Sequence, residues 1–221
     1  MTVTWRVQVD GDETTAVFEP ATSTSSAVFV CAHGAGRSMS DRGMVQLAET
    51  LRSRGLDVVR FNFLYKEKRS ARPDPMPLLK QCVSAVVDRV RAEIRPRRLF
   101  VGGRSMGGRA ASMLAAEAFQ CDGLLLLAYP LHPAGQPDKR RDAHLPAIDV
   151  PVLCFNGTRD ALCRRDLMES VLTRVKPGFA MHWLEGADHS FHVLKSSGRT
   201  DADVLDEVGS ASDVWVRAQV G

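Results

Sequence analysis

Six short runs of apolar, often β-branched or aromatic residues recur along the chain, at 27–32 (AVFVCA), 57–62 (DVVRFN), 98–102 (RLFVG), 123–128 (GLLLLA), 151–156 (PVLCFN) and 180–184 (AMHWL). Between most of them lie stretches with apolar residues at helical spacing, over 42–54, 77–94, 107–119 and 164–175, with a last one near 201–218. No other feature constrains the fold as much. Strands that alternate with helices are expected to lie parallel in one twisted sheet, with helices on both faces. A run such as GLLLLA, apolar at every position, fits a strand covered on both sides. Ahead of this pattern, WRVQVDGDETTAVFEP alternates apolar and polar residues about Asp10 and Gly11. It predicts an antiparallel hairpin with strands near 5–9 and 15–19, followed by the linker PATSTSS. The fold class is therefore α/β, expected as one domain over residues 1–221, a length that can bury its own core.

Charge and cysteine content narrow the function classes. A net charge of +3 is too small to make nucleic acid the expected partner. The basic clusters Arg95, Arg97, Arg98 and Lys139, Arg140, Arg141 have no aromatic interleaving and read as solvated loop faces. Cys31, Cys82, Cys121 and Cys154 fall in apolar segments and read as core thiols, while Cys163, just past a strand, reads as more accessible. No Cys/His spacing suggests a metal site, and odd, buried cysteines point to the cytoplasm. There is no basic region followed by an apolar leader core at the N-terminus, and the longest apolar run, 124–128, is far too short to cross a bilayer. Neither membrane nor cofactor is expected.

GGRSMGGR, residues 102–109, sets one serine among four glycines between a strand run and a helical run. A parallel strand that turns at once into a helix must reverse within a few residues, which forces the turning residue into strained geometry. Side chains two before and two after it would meet neighbouring backbone, so Gly103 and Gly107 suit those places, and Gly102 and Gly108 relieve crowding further. The serine gains an exposed hydroxyl over the positive end of the next helix. This is the G-x-S-x-G nucleophile elbow. Two rival readings fail. A phosphate-binding P-loop needs Lys and then Ser or Thr after its last glycine, where this chain has Gly108 and Arg109. HGAGRSM (33–39) begins like a dinucleotide loop but has Met39 in place of the third glycine.

A serine hydroxyl needs a base, and its attack on a carbonyl needs donors for the resulting oxyanion. Both belong in loops at the same end of the sheet. HGAGR (33–37) leaves the first parallel strand, and its small residues suit backbone donors: the N–H of Ala35 paired with that of Met106, with His33 as a hydrogen-bonded support. Among six histidines, His182 sits within a strand, and His132 and His144 belong to the connection after the 123–128 strand. His189, in EGADHSFH after the last strand, is the preferred base, with His192 the second candidate. The orienting acid is Asp160 in NGTRDAL or Asp188. Asp160 is preferred, because it comes from a separate loop whereas Asp188 adjoins His189 and neighbouring side chains tend to diverge. The chain order Ser105, Asp160, His189 is one of the known triad orders.

With these motifs the sequence resembles the α/β-hydrolases, and among them dienelactone-hydrolase-like proteins. More narrowly, it is similar to a group containing uncharacterised bacterial hydrolases, a testis-expressed vertebrate protein and subunit 3 of the NSL histone-acetyltransferase complex. HGAG (33–36), VVRFNF (58–63), GGRSMGGR, YPLHPAGQPDKRRDAHLPAI (129–148), NGTRDAL and DHSFHVLKSSGRT (188–200) carry the likeness. It implies the hydrolase sheet topology and the Ser105, Asp160, His189 triad. Dienelactone hydrolases proper use cysteine as the nucleophile, so serine here speaks against that specific activity.

The connection 129–150, where many lipases insert a helical lid, is rich in Pro, Gly and charge and predicts a short loop and an open site. Arg104, Met106, Tyr129, Leu131 and Phe191 are candidate substrate contacts, and FNFLYKEKRSARPDP (61–75) predicts a polar loop on the same side. The expected function is hydrolysis of small carboxylic esters or thioesters through an acyl-enzyme, without metal. The alternative is a hydrolase-fold interaction module with little or no catalysis. A homodimer or a protein partner is compatible with either.

Overall fold

Asp10 and Gly11 both take positive φ, 51° and 83°, the combination a two-residue hairpin turn requires. In the computed structural model, which describes residues 1–25 and 27–220, they join β1 (Val3–Val9) to β2 (Asp12–Glu19) in register Val9 to Asp12. β2 then pairs antiparallel with β4 (Leu56–Phe61). From there the sheet is parallel: β3 (Ala27–Ala32), β5 (Leu99–Arg104), β6 (Gly123–Leu127), β7 (Val152–Gly157) and β8 (Phe179–Leu184). The eight strands run in the order β1-β2-β4-β3-β5-β6-β7-β8. This is the α/β-hydrolase architecture, with the hairpin on one edge.

Strand alternation divides the core into two layers. Val28 and Val30 of β3 and Leu124 and Leu126 of β6 pack on one face, with Leu79, Val83 and Val87 of α3 (Met76–Glu93), Ala110 of α4 (Met106–Ala116) and Met168 of α5 (Arg165–Leu172). Phe29, Cys31, Leu125 and Leu127 point the other way, onto Met44, Leu47 and Leu51 of α1 (Arg42–Arg52) and Val204 and Val208 of α6 (Asp201–Val220). Burial on both faces is why the strands read as unbroken apolar runs. Each parallel strand ends at the same edge of the sheet, where the loops that follow β3, β5, β7 and β8 converge.

Three expectations need correction. The 61–75 segment is a polar loop only in its second half: Phe63, Leu64 and Tyr65 are buried, and Leu64–Glu67 forms the short helix α2, while 68–75 is exposed or half-buried. Phe61 and Phe63 pack edge to face at 5.3 Å, and Glu67 accepts the Thr15 N–H and an Asn62 amide N–H, each at 3.0 Å, which ties the segment to the hairpin. Two cysteines exchange places, Cys163 being buried and Cys121 half-buried, while Cys31, Cys82 and Cys154 are buried as expected; burial raises the Cys121 thiol to about 11. The second basic cluster is not a free face either, because Arg140, joined by Arg174, clasps the buried Asp142 while Arg141 turns towards a cavity. The 129–150 connection does carry no lid; its one regular feature is a single 3₁₀ turn at Leu145–Ala147. Among the described residues no helix is long and apolar enough to cross a membrane.

Candidate active site

Ser105 stands between β5 and α4 at φ 51° and ψ −116°, outside the regions that L-residues ordinarily occupy. Such a conformation costs on the order of 1–3 kcal/mol and persists only where the surroundings impose it. Here they do. A Cβ on Gly103, itself at φ 136°, would fall 2.1 Å from the carbonyl oxygen of Ala32, and one on Gly107 would fall 2.6 Å from the same atom. The turn therefore presses directly on β3, and the Ser105 N–H donates to the Leu127 carbonyl oxygen at 2.8 Å. The hydroxyl is left projecting from the sheet edge.

The loop after β8 brings the imidazole of His189 to it. Nε2 lies 2.9 Å from Ser105 Oγ, and Nδ1 lies 2.8 Å from Asp160 Oδ2 and 3.0 Å from Oδ1. Asp160, in the loop after β7, has no exposed side-chain surface. Its oxygens also accept the Asn156 amide at 3.0 Å and the Leu162 N–H at 2.8 Å, so the carboxylate is fixed in one orientation. A carboxylate at Nδ1 holds that nitrogen protonated and leaves Nε2 free to accept the serine proton.

The other candidates are engaged elsewhere. Asp188 caps its own turn, accepting the N–H groups of Ser190 at 2.7 Å and His192 at 3.0 Å. His192 pairs with exposed Asp201 at 3.0 Å, and that hydrogen bond raises its pKa. His182 meets Glu207, and His144 meets Ser112, both at 2.8 Å. His132 accepts the Arg164 N–H at 3.2 Å.

Ala35 and Met106 border the same cavity as Ser105, and among the described residues the N–H groups of both make no hydrogen bond. Met106 is the first residue of α4, where an N–H has no partner within the helix. The HGAG loop is braced from below. His33, its pKa pushed down to about 4 chiefly by burial, accepts the Phe63 N–H at Nε2 (3.1 Å) and donates from Nδ1 to the Gly34 carbonyl oxygen (2.8 Å). The Tyr65 hydroxyl accepts the Gly36 N–H at 3.2 Å. These supports come from the 61–75 segment, and the aromatic residues at alternate positions 61, 63 and 65 were the available signal for them.

Four side chains expected to contact substrate lie elsewhere. The cavity at Ser105, about 510 Å³, is lined instead by Asp74, Met76, Arg109, Pro130, Arg141 and Leu162, among others. Tyr129 is buried, with its hydroxyl donating to the Arg141 carbonyl oxygen at 2.6 Å, and Leu131 is wholly buried. Phe191, also buried, has the Arg104 guanidinium 4.6 Å above its ring. Arg104 points away from this cavity to a second one beside Arg37 and Gly43, and it donates to the His189 carbonyl oxygen at 2.9 Å. It thus holds the histidine loop. Burial pulls its pKa below the usual arginine range.

A mostly parallel sheet with this strand order and a serine elbow defines the class, and comparison with known proteins agrees. The sequence model of the alpha/beta hydrolase domain family matches residues 25–217, so the chain belongs to that family. Its fold is similar to an alpha-beta serine hydrolase homologue from Coxiella burnetii, with 19% identity, TM-score 0.78, and 95% of this chain and 96% of that one covered. It is similar to a serine hydrolase without a lid from Xanthomonas campestris, with 20% identity, TM-score 0.74 and 97% and 94% covered. It is similar too to a dienelactone hydrolase from Anabaena variabilis, with 19% identity, TM-score 0.76 and 99% and 97% covered.

Proposed function

We propose that the protein is a serine hydrolase that cleaves small carboxylic esters or thioesters, with Ser105 as nucleophile, His189 as base and Asp160 as the acid that orients it. One observation carries the reading: an unbroken run of hydrogen bonds from Ser105 Oγ through His189 to a buried carboxylate. Ser105 Oγ attacks the acyl carbon as its proton passes to His189 Nε2. The N–H groups of Ala35 and Met106 receive the oxyanion, a contribution of about 3–4 kcal/mol for one such donor. Collapse breaks the bond to the leaving group, which takes the proton from the imidazolium and departs. Water then attacks the acyl-enzyme, giving its proton to Nε2, and Ser105 leaves protonated with release of the acid. The site has no lid over it, which favours short or water-soluble esters over long lipid chains.

Residues 1–221 act as one domain in this reading, working in the cytoplasm, as the cysteine usage suggests. The narrower kinship with the testis-expressed protein and the NSL complex subunit rests on the sequence stretches that carry it. Labelling with a fluorophosphonate probe, together with turnover of p-nitrophenyl acetate, tests the proposal. Labelling at Ser105 with turnover is expected. An unlabelled, inactive folded protein would favour an interaction module instead.

A further inference from the structure

Two arginines enter the cavity beside Ser105, and among the described residues no carboxylate forms an ion pair with either. Arg109 lies one turn along α4 from the nucleophile, its N–H donating to the Ser105 carbonyl oxygen at 3.0 Å, so its Cα is displaced by about 6 Å along the helix axis. Arg141 arrives from the 129–150 connection. Its backbone is anchored at both polar groups, the N–H donating to the Leu131 carbonyl oxygen at 2.8 Å and the carbonyl oxygen accepting the Tyr129 hydroxyl at 2.6 Å. Among the described residues neither guanidinium forms an ion pair, and Nε of Arg109 is buried with no hydrogen-bond partner.

The charged and titratable groups nearby leave an excess of positive charge. Asp142 is held by Arg140 at 2.6 Å and Arg174 at 2.5 Å. Asp74, on the cavity wall, is a single carboxylate against two guanidiniums; its Oδ2 accepts the Tyr65 N–H at 2.9 Å and it forms an ion pair with neither arginine. His144 is kept uncharged at neutral pH, pushed down to about 4 by burial and then by Arg109. The two arginines also act on each other, since burial first and Arg109 second lower the pKa of Arg141. Like charges turned into a partly apolar cavity, one of them with a buried unsatisfied donor, form an arrangement that an incoming anion relieves. A planar guanidinium fork matches a carboxylate in two parallel hydrogen bonds. The remaining wall, with Met76, Leu79, Pro130 and Leu162, suits a short hydrocarbon spacer.

We propose that the preferred substrates are esters bearing a second, carboxylate group, which Arg109 and Arg141 bind while the ester lies at Ser105. This rests on the hydrolase reading and specifies its substrate class. The carboxylate lies on the acyl portion or on the leaving group, and two pairs of esters separate these. The mono-p-nitrophenyl ester of adipic acid is compared with p-nitrophenyl hexanoate, and 4-acetoxybenzoate with 4-acetoxybenzamide. In one pair the anionic member should have at least tenfold higher kcat/KM, mainly through KM, and the ratio should fall as salt is raised. Arg109→Gln and, independently, Arg141→Gln on its loop should bring that ratio towards one, while Arg109→Lys keeps part of it. Equal kcat/KM within both pairs, or a preference that survives both glutamine variants, overturns the proposal while hydrolysis itself stands. A protein that cleaves none of the four esters overturns the hydrolase reading, and this one with it.

Discussion

Two histidine–aspartate pairs lie three residues apart on the loop after β8, and they differ in almost everything except chemistry. His189 meets Asp160 at 2.8 Å with the carboxylate side chain fully buried and the imidazole side chain 28% exposed. His192 meets Asp201 at 3.0 Å with the two side chains 56% and 57% exposed. The second pair is an ordinary surface contact, screened by water and worth little. The first is locked by two further hydrogen bonds on its carboxylate, and its free ring nitrogen faces a hydroxyl. Residue types alone do not make a reactive pair. Exclusion of water, a single orientation and a third group in reach do.

The largest expected effect removes that third group. Ser105→Ala should lower ester hydrolysis by up to about 10⁶ in kcat with the fold intact, as measured by burst-free steady-state kinetics and circular dichroism. Unchanged turnover would erase the distinction between the pairs. Next, Asp160→Asn should cost roughly 10⁴ in kcat, because the imidazole loses the acceptor that fixes its tautomer. Asp188→Asn should cost far less, since that carboxylate only accepts backbone N–H groups of its own turn. A reversed order would move the orienting role to Asp188. Arg104→Met should reduce kcat by about 10- to 100-fold through misplacement of the His189 loop, with KM for a neutral ester little altered. A rise in KM alone would return Arg104 to substrate binding.

The smallest effect belongs to the exposed pair. His192→Gln should leave kcat within about twofold, and its signature should appear in stability against pH instead. His192 has a raised pKa and Asp201 a lowered one, each chiefly through their mutual hydrogen bond. The histidine term is present below the ordinary imidazole value and is lost as pH rises through the higher folded value. The aspartate term is present above the ordinary carboxylate value and is lost as pH falls through the lower folded one. The wild type should therefore exceed the variant in Tm slightly in mildly acidic solution, and the difference should vanish in alkali. A difference that grows in alkali would contradict the pairing.

Much of this comparison was legible in the sequence, and the reason is local. Gly103 and Gly107 mark a backbone collision, and apolar runs such as 123–128 mark strands buried on both sides, so elbow and sheet follow from short windows. Asp160 and His189 follow once each loop is assigned to a strand end. What failed depends on contacts distant in sequence. Tyr129 and Leu131 carry the composition of a pocket wall, yet the chain folds them into the core, and Arg141, which reads as a solvated cation, turns inward with them. Arg104 is next to Ser105 but, as the last residue of β5, points to the second cavity, while the turn carries Ser105 to the first. The support under HGAG escaped because the charges of KEKRSAR (66–72) made the whole 61–75 stretch read as a polar loop, although it opens on the apolar run FNFLY.

Ala32 has a part that its plainness conceals. Its carbonyl oxygen is the surface against which both elbow glycines abut, and the very next residue opens the HGAG loop. Ser105 and the loop proposed to receive the oxyanion are consequently machined from one block. A slip of β3 by a single residue would carry away both at once, whereas the rim of the cavity is free to drift from one descendant to another, and new specificities would be written there.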